Sequence, residues 1–556
     1  MFVREKRIGA YRYLYLVESV REGGRVKQHV IKNLGRKEAV VASGELDRLA
    51  RSIARLAQRS LVLSLGQAEV AAARGARRIG PPLLFERLWA ETGCRGVIEE
   101  LAAARRFEFP VERAIFLTVL HRLMVSGSDR AAERWRADYR IAGAEAIDLH
   151  HLYRAMAWLG EVVAPADGER PGPRTTKDVV EERLFERRRD LFSELSVVFM
   201  DTTSLYFEGA GGARLGAQGY SRDHRPDLKQ MIVAAVLDGD GRPICCELWP
   251  GFTADTTALL PIVDRLRRRF GIGRVCVVAD RGTISNATVG ELAARKFEYI
   301  LGVRERNDPL VAKVVLADPK PLRPVVLTTR RRRVEYGVKE VRHGGRRYIL
   351  CRNAAQADQE AAERRRIVAE LEQALRRGDK RVLLRRSHRR YLKAAGRGRF
   401  VIDRAKVEAD RRFDGIFVLR TNTRLDPVRV MQRYKDLWMV EQLFRTAKSL
   451  LATRPIYHQT DAAIRGHVFC SFLALVLRKE LLDRLAQHGV AVEWADILRD
   501  LDRLQEIEVE QDAKRFILRT PTIGIAGKLF QALGIALPPN IRQLAPPAPA
   551  PHPAPP

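Results

Sequence analysis

The chain has 556 residues, and its 99 Lys and Arg against 68 Asp and Glu leave a formal net charge of +31, which points to a polyanionic partner. At 46% hydrophobic and 30% charged residues it has the apolar content for sizeable cores, which excludes wholesale disorder, a collagen-like repeat and a disulfide-stapled miniprotein. Its six cysteines show no CxxC pair and no histidine at finger spacing, against structural zinc and in favour of a reducing cytoplasm.

Residues 1–42 alternate apolar and polar side chains through Arg12-Tyr13-Leu14-Tyr15-Leu16-Val17 and again from Val26 to Leu34, on either side of Gly23-Gly24. Period two around a glycine pair predicts an N-terminal β-hairpin unit. The first residues lack the apolar stretch of a signal peptide, and the longest apolar run, Phe469 to Leu477, is half of a membrane span, so no membrane is expected. From 43 to 165 the spacing turns helical. Pro81-Pro82 opens one helix, Val111 to Met124 forms another, and Asp148 stands ready to cap His151 to Leu159. Short basic helices make this helical module a candidate for DNA binding.

A Pro- and Gly-rich run between Val163 and Thr176 marks a linker at 166–180. Beyond it, Ser196-Val197-Val198-Phe199-Met200-Asp201 is an apolar run short enough for a buried strand, and it ends on an acid. Gln230 to Leu237, the Asp238-Gly239-Asp240-Gly241 turn and Pro243 to Trp249 form a hairpin. Asp255 or Thr256 caps a helix running to Phe270, which Gly271 and Gly273 stop, and Arg274 to Asp280 is again an apolar strand closed by an aspartate. Strand, strand, strand, helix, strand is the order of a ribonuclease-H-like α/β core, a mixed five-stranded sheet flanked by helices. That order brings Asp201 and Asp280 side by side. Paired carboxylates repel, and sharing divalent cations relieves the repulsion.

From Val428 a helical pattern follows Asp426-Pro427. Tyr434, Glu441 and Lys448 recur at a spacing of seven and make one stripe, with Arg445 a turn beyond the glutamate. Tyrosine, carboxylate, arginine and lysine on one stripe suit a metal ligand flanked by phosphate-holding groups, and equally a solvated face with an i,i+4 Glu441–Arg445 pair.

These residues resemble the DDE transposases of bacterial insertion sequences, specifically the IS-four superfamily, whose third acid lies in the signature Y-x2-R-x3-E-x6-K. Tyr434, Glu441 and Lys448 fit it, whereas Leu437 stands where the signature has arginine. Asp201-Thr202-Thr203-Ser204 and Asp280-Arg281-Gly282 are similar to the first two acid blocks. Gly219 to Gln230, Trp249-Pro250-Gly251 and Arg465-Gly466-His467 resemble blocks of the long subgroup numbered sixteen thirty-four.

The resemblance implies an enzyme that cuts at an element's terminal inverted repeats and joins the 3′ ends to target DNA, with Asp201, Asp280 and Glu441 as catalytic and metal-binding acids. It implies two Mg²⁺ ions, with Mn²⁺ as substitute, and a homodimer on double-stranded DNA, in the bacterial cytoplasm at the nucleoid. Tyr434, Lys448 and Arg445 would grip phosphates near the cleaved end; the contact of the missing arginine does not carry over to Leu437 and stays unassigned, with Lys435 and Arg445 as the candidates. The alternatives are a catalytically silent DNA-binding descendant and a ribonuclease-H-type nuclease without strand transfer.

The long gap between Asp280 and Glu441 divides the core into 181–305 and 414–485, around a basic insertion domain at 306–413 that in such proteins contacts DNA. There Arg376, Arg377, Lys380, Arg381, Arg385, Arg386, Arg389 and Arg390 are placed to neutralise phosphates. A C-terminal helical region at 486–540 and a disordered Pro-rich tail at 541–556 complete the reading. Gly209-Ala210-Gly211-Gly212 lacks nucleotide-loop spacing, so no nucleotide cofactor is expected. The Asp238 turn lacks the glutamate of a calcium loop. His150, His151 and His467 read as structural or DNA-proximal, and Asp223 and Asp227 as reserve acids.

Overall fold

The structure, a computed structural model, describes residues 2–22, 25–46, 48–49, 72–164, 173–188, 197–272, 276–280, 286–303, 306, 308–328, 333–378, 385–395, 399–511 and 514–544. Gly23-Gly24, residues 166–172 of the expected linker, Gly273 to Val275, Arg281-Gly282, Lys380, Arg381 and the Pro-rich run from Ala545 lie outside the described residues; the rest of the expected linker is no linker, because Arg174–Thr175 is a strand and Thr176–Arg188 a helix. The chain divides into two compact units. One comprises Met1–Leu84, Ala137–Arg140 and Val492–Pro556, and the other Phe85–Arg136 and Ile141–Ala491.

In the first unit, Tyr11–Glu22 pairs antiparallel with Arg25–Arg36, as the alternation predicts, and Phe2–Ile8 adds a third strand on its other side. A second sheet joins Ala72–Arg78, Gln505–Gln511, Lys514–Arg519 and Ile541–Gln543. The reading of 486–540 as helical is therefore incomplete, and the tail expected to be disordered from 541 begins with a paired strand, Ile541–Gln543. Gln505-Glu-Ile-Glu-Val-Glu-Gln has strict period two, and that pattern makes a strand.

The second unit is built on one mixed sheet of nine strands: β1 (Val197–Tyr206), β2 (Gln230–Leu237), β3 (Pro243–Pro250), β4 (Cys276–Ala279), β5 (Glu298–Gly302), β6 (Arg323–Thr328), β7 (Arg333–His343), β8 (Arg346–Asn353) and β9 (Ile416–Thr421). Their order is β6-β7-β8-β9-β5-β4-β1-β2-β3. The β1–β4 and β4–β5 pairs are parallel and the others antiparallel. The sequence calls for five strands. The other four arise because β8 of the inserted stretch pairs with β9, which pairs in turn with β5, so the insertion extends the same sheet.

Helices cover both faces: α1 (Thr176–Arg188), α2 (Asp255–Arg269), α3 (Asn286–Ala294), α4 (Pro427–Lys435), α5 (Trp438–Ser449) and α6 (Asp461–Gln487). Alternation along the central strands sorts their side chains. Val197, Phe199 and Leu205 of β1 and Val278 of β4 join one core with Val430, Met431, Leu437, Val440 and Phe444 of the α4–α5 stretch. Val198, Met200, Val277 and Ala279 join the other with Leu259, Ile262 and Leu266 of α2 and Leu292 of α3. Each such side chain contributes roughly 1.5–3 kcal/mol by leaving water. The N-cap of α2 is Ala254, one residue before the expected cap, and Gly271 at φ +62° follows its C-terminus.

The helices Val111–Met124 and Leu149–Leu159 pack on α6. Val111–Met124 is buried on nearly every side, and Glu112 and Arg122, which it takes inside, are paired, Glu112 with Trp89 Nε1 and Arg122 with Ser471 Oγ at 2.5 Å. Asp148 caps Leu149–Leu159 in a capping box, its N–H donating to His151 Nδ1 at 3.0 Å. Among the described residues no helix is long and apolar enough to cross a membrane.

Candidate active site

The two central aspartates are placed by strand register. Ala279 of β4 pairs with Met200 of β1, so Asp280, the next residue, continues alongside Asp201. Both are two residues beyond a side chain of the first core, Phe199 and Val278, so alternation turns both toward the face that α4 and α5 cover. Both are half-buried. The Thr202 N–H donates to Asp201 Oδ1 at 2.7 Å, and Tyr434 Oη donates to Asp280 Oδ1 at 2.6 Å. A short O–H to carboxylate bond of this kind is a strong one, and it fixes the orientation of Asp280.

The third acid sits on a helix that differs from the sequence reading. The pattern from Val428 onward predicts a continuous helix, but α4 ends at Lys435 and α5 begins at Trp438. Tyr434 is therefore on one helix, and Glu441 and Lys448 are on the next. Leu437, in the signature's arginine position, falls in the break and is buried in the core beside Val440 and Phe444, so no phosphate contact can come from there. Lys435 lies over the Phe417 ring, 4.3 Å from its centroid. Burial pulls its ammonium pKa down, while Cys351 and Glu441 pull it up. That coupling puts Glu441 within electrostatic reach of Lys435, the residue next to the tyrosine that holds Asp280. Glu441 itself is exposed in the first turn of α5, where the helix dipole favours a carboxylate.

Lys448 is half-buried and donates to Asp223 Oδ1 at 3.0 Å. Arg454, which the sequence reading did not single out, lies 3.3 Å from Asp223 Oδ2. Arg445 is exposed on α5. Arg385 is exposed and 3.8 Å from Glu370, Arg389 is exposed, and Arg390 lies over the Tyr391 ring at 4.5 Å. The side chain of Arg386 lies outside the described part. Asp227 is exposed and paired with Arg225 at 2.8 Å.

An all-oxygen donor set of Asp201, Asp280 and Glu441 suits a hard divalent cation such as Mg²⁺ or Mn²⁺, and two of its members share a register step on adjacent strands. Among the described residues, the groups whose ligand atoms converge within 4.8 Å are Asp129–His458–His467 and Asp148–His150–His151. The three acids are not gathered that closely. In the first of those groups, His467 Nδ1 faces Arg122 at 2.9 Å and Nε2 faces the Thr453 carbonyl at 3.1 Å, while His458 Nε2 lies 3.4 Å from Asp129. Both nitrogens of His467 are engaged, and a guanidinium beside them repels a cation, so this is an internal network that ties α6 to the segment before it. In the second group, His151 serves the capping box.

Comparison with known proteins adds two findings. Residues 3–69 match the model for the N-terminal domain of IS1634 family transposases, and residues 192–477, half of the chain, match the model for the transposase DDE domain. No curated protein matches the chain. The second match spans the strands that carry Asp201 and Asp280, the inserted stretch and the helix that carries Glu441. The chain belongs to the DDE transposases, in the IS1634 subgroup.

Proposed function

We propose that Asp201, Asp280 and Glu441 are the catalytic acids of this transposase, on the ribonuclease-H-like portion β3-β2-β1-β4-β5 of the sheet. The observation that carries the reading is the side-by-side register of Asp201 and Asp280 on parallel strands, facing the helices α4 and α5. The three carboxylates would hold two Mg²⁺ ions, which when bound activate the attacking oxygen and stabilise the leaving one.

The chain's own residues do the rest. Tyr434 donates to Asp280 and keeps one oxygen of that carboxylate turned to a fixed direction. Glu441, exposed and with three side-chain torsions, completes the acid set from the helix. Tyr434, Lys448 and Arg445 lie on the helices that carry the third acid and contact backbone phosphates near the cut end, and Arg385, Arg386, Arg389 and Arg390 hold flanking DNA.

In the first step water attacks the phosphodiester at the element's end and releases a 3′-hydroxyl. In the second that hydroxyl attacks a phosphodiester of target DNA, whose own 3′ oxygen leaves. Each step exchanges one phosphodiester bond for one attacking O–H, so no nucleotide cofactor is needed. The DNA substrates are terminal inverted repeats and target duplex, held by a homodimer.

The test is cleavage and joining with inverted-repeat DNA, a target plasmid and Mg²⁺. Nicked and joined products are expected from the parent and neither from Glu441→Gln, with DNA binding kept. A Glu441→Gln protein that cuts as well as the parent overturns the assignment. Nicks that never mature into joined products reduce it to a nuclease.

A further inference from the structure

The loop between β1 and β2 contains a stretch that fastens the strand of the first acid to the helix of the third. At Arg222, the backbone N–H donates to Ser204 Oγ at 2.9 Å, and the guanidinium bonds the Thr202 carbonyl and reaches Thr202 Oγ1 at 3.0 Å. Thr202 and Ser204 are on β1, next to Asp201. At the following residue, Asp223 Oδ1 accepts from Lys448 Nζ at 3.0 Å, and Oδ2 lies 3.3 Å from Arg454 Nε. Ser221 Oγ accepts from the Arg225 N–H at 3.0 Å and turns the loop back.

The side chains of Asp223 and Lys448 are only 10% and 13% exposed. Asp223 thus has one oxygen committed to the Lys448 ammonium and the Arg454 guanidinium near the other, a setting that answers its charge from within the chain. Lys448 is two turns beyond Glu441 on α5, about 10 Å along the axis. At the other end of α5, Met439 Sδ occupies the space a side chain at Gly241 would need, 2.7 Å from where its Cβ would lie. The helix is thus held at both ends, and its grip at the Lys448 end is a charge pair that is costly to break from one side.

We infer that Asp223 is a positioning residue: through Lys448 it sets where α5, and hence Glu441, stands along β1. This deepens the proposed function and rests on Glu441 being the third acid, but the placement of the helix can be measured without any chemistry. In hydrogen exchange Lys448→Met should act like Asp223→Asn, and the double variant should exchange no faster than the faster single one, because both remove the same pair; DNA affinity does not discriminate for Lys448→Met, because Lys448 is also proposed to contact phosphate.

The experiment uses the full chain, and its first readout is hydrogen exchange with neither DNA nor metal. Asp223→Asn should exchange amides of Trp438–Ser449 about tenfold faster than the parent, with the central strands β1 and β2 unchanged. The second readout is the Mg²⁺ concentration at half-maximal cleavage, which should rise severalfold for Asp223→Asn while affinity for inverted-repeat DNA in EDTA stays at the parent's value. Asp223→Glu, which keeps the charge, should restore part of both.

Unchanged exchange and superimposable Mg²⁺ titrations overturn the inference. So does a loss of DNA affinity without a shift in the titration, which would make the pair a phosphate grip alone. An inactive Asp223→Cys restored by Mn²⁺ would make residue 223 a ligand and overturn it too. If Asp223→Asn does not fold, Lys448→Met is measured by hydrogen exchange in the same way, and acceleration that is absent or spread over the whole unit counts against the inference. A Glu441→Gln protein that cleaves like the parent defeats the acid assignment, while the exchange result still decides the clamp.

Discussion

The large sheet carries carboxylates in two contrasting settings. Along its edge strand β3, α1 supplies Asp178 and Glu181, and every acid there has a cation. Lys177 Nζ lies 2.7 Å from Asp178 and 3.3 Å from Glu181, and Arg265 of α2 reaches Asp178 at 2.8 Å, Glu181 at 2.6 Å and also Glu247. The same side chains close the strand edge, Lys177 donating to the Cys246 carbonyl at 2.8 Å and Glu181 accepting from the Cys246 N–H at 2.9 Å. Burial works against both charges, yet the partners hold Asp178 well below and Lys177 well above their ordinary ranges. At the centre of the sheet, Asp201 and Asp280 stand half-buried beside each other, one accepting from the Thr202 N–H and the other from the Tyr434 hydroxyl. Buried acids that share buried cations in this way hold a fold together. Half-exposed acids brought side by side by strand register are suited to sharing a cation that comes from outside.

Removing one member from each setting breaks the comparison most sharply. Arg265→Met leaves buried carboxylates without their partner and should cost about 3–5 kcal/mol of stability, read as a large drop in melting temperature. Asp201→Asn should leave the melting temperature near the parent's and reduce cleavage by roughly a thousandfold, about 4 kcal/mol of barrier. If Asp201→Asn melts like Arg265→Met while Arg265→Met folds and cuts, the two settings have been read the wrong way round.

Histidines of the helical layer sharpen the structural side. Burial, with Arg122 beside it, pulls the His121 imidazole down to about 4 from an ordinary 6.5, and burial drives His467 well below its ordinary value. Both are neutral in the folded chain, whereas the unfolded chain protonates them below about pH 6.5. Between those values the unfolded state binds more protons, so stability is lost as pH falls from 6.5 toward 4, by roughly 3 kcal/mol for His121 alone. Thermal melts from pH 7 to pH 4.5 should show the decline, and His121→Gln should flatten it. An unchanged slope in that variant would put the proton uptake elsewhere.

On the side of the acids the next effect is smaller. Tyr434→Phe removes the hydroxyl that holds Asp280 and should slow cleavage about tenfold, near 1.4 kcal/mol, with DNA affinity in EDTA little changed. A parent-like rate would mean that the bond to Asp280 contributes nothing to the reaction.

What the sequence disclosed follows from how local each signal is. Val197 to Met200 and Cys276 to Ala279 are uninterrupted apolar runs followed by aspartates, and both are in strands; Asp280 follows the end of its strand as expected, whereas β1 continues through Asp201 to Tyr206, so that acid sits mid-strand. Asp148 before Leu149–Leu159 is a capping signal contained in four residues. The break between α4 and α5 was hidden because Leu437, Val440 and Phe444 keep helical spacing across it. The four added strands depend on pairing between β8 and β9, far apart in the chain, which no local pattern announces. The Asp223–Lys448 pair spans 225 residues. Sequence shows Asp223 as an acid with no visible partner, and only the folded chain shows that its charge is already answered.

The smallest effect tests the outermost charges. Arg385, Arg389 and Arg390 are exposed in the inserted stretch, where Arg385 lies 3.8 Å from Glu370 and Arg390 over the Tyr391 ring. These are surface contacts, which contribute little, in contrast to the buried pairs of Arg265. If they neutralise phosphates, each replacement by Gln should weaken DNA binding alike on specific and unrelated duplexes and lower the slope of log affinity against log salt by about 1. Melting temperature should not move, because exposed charges contribute little to stability. A fall in affinity without a change in slope would assign them to the shape of the inserted stretch, and a fall confined to inverted-repeat DNA would assign them to base recognition.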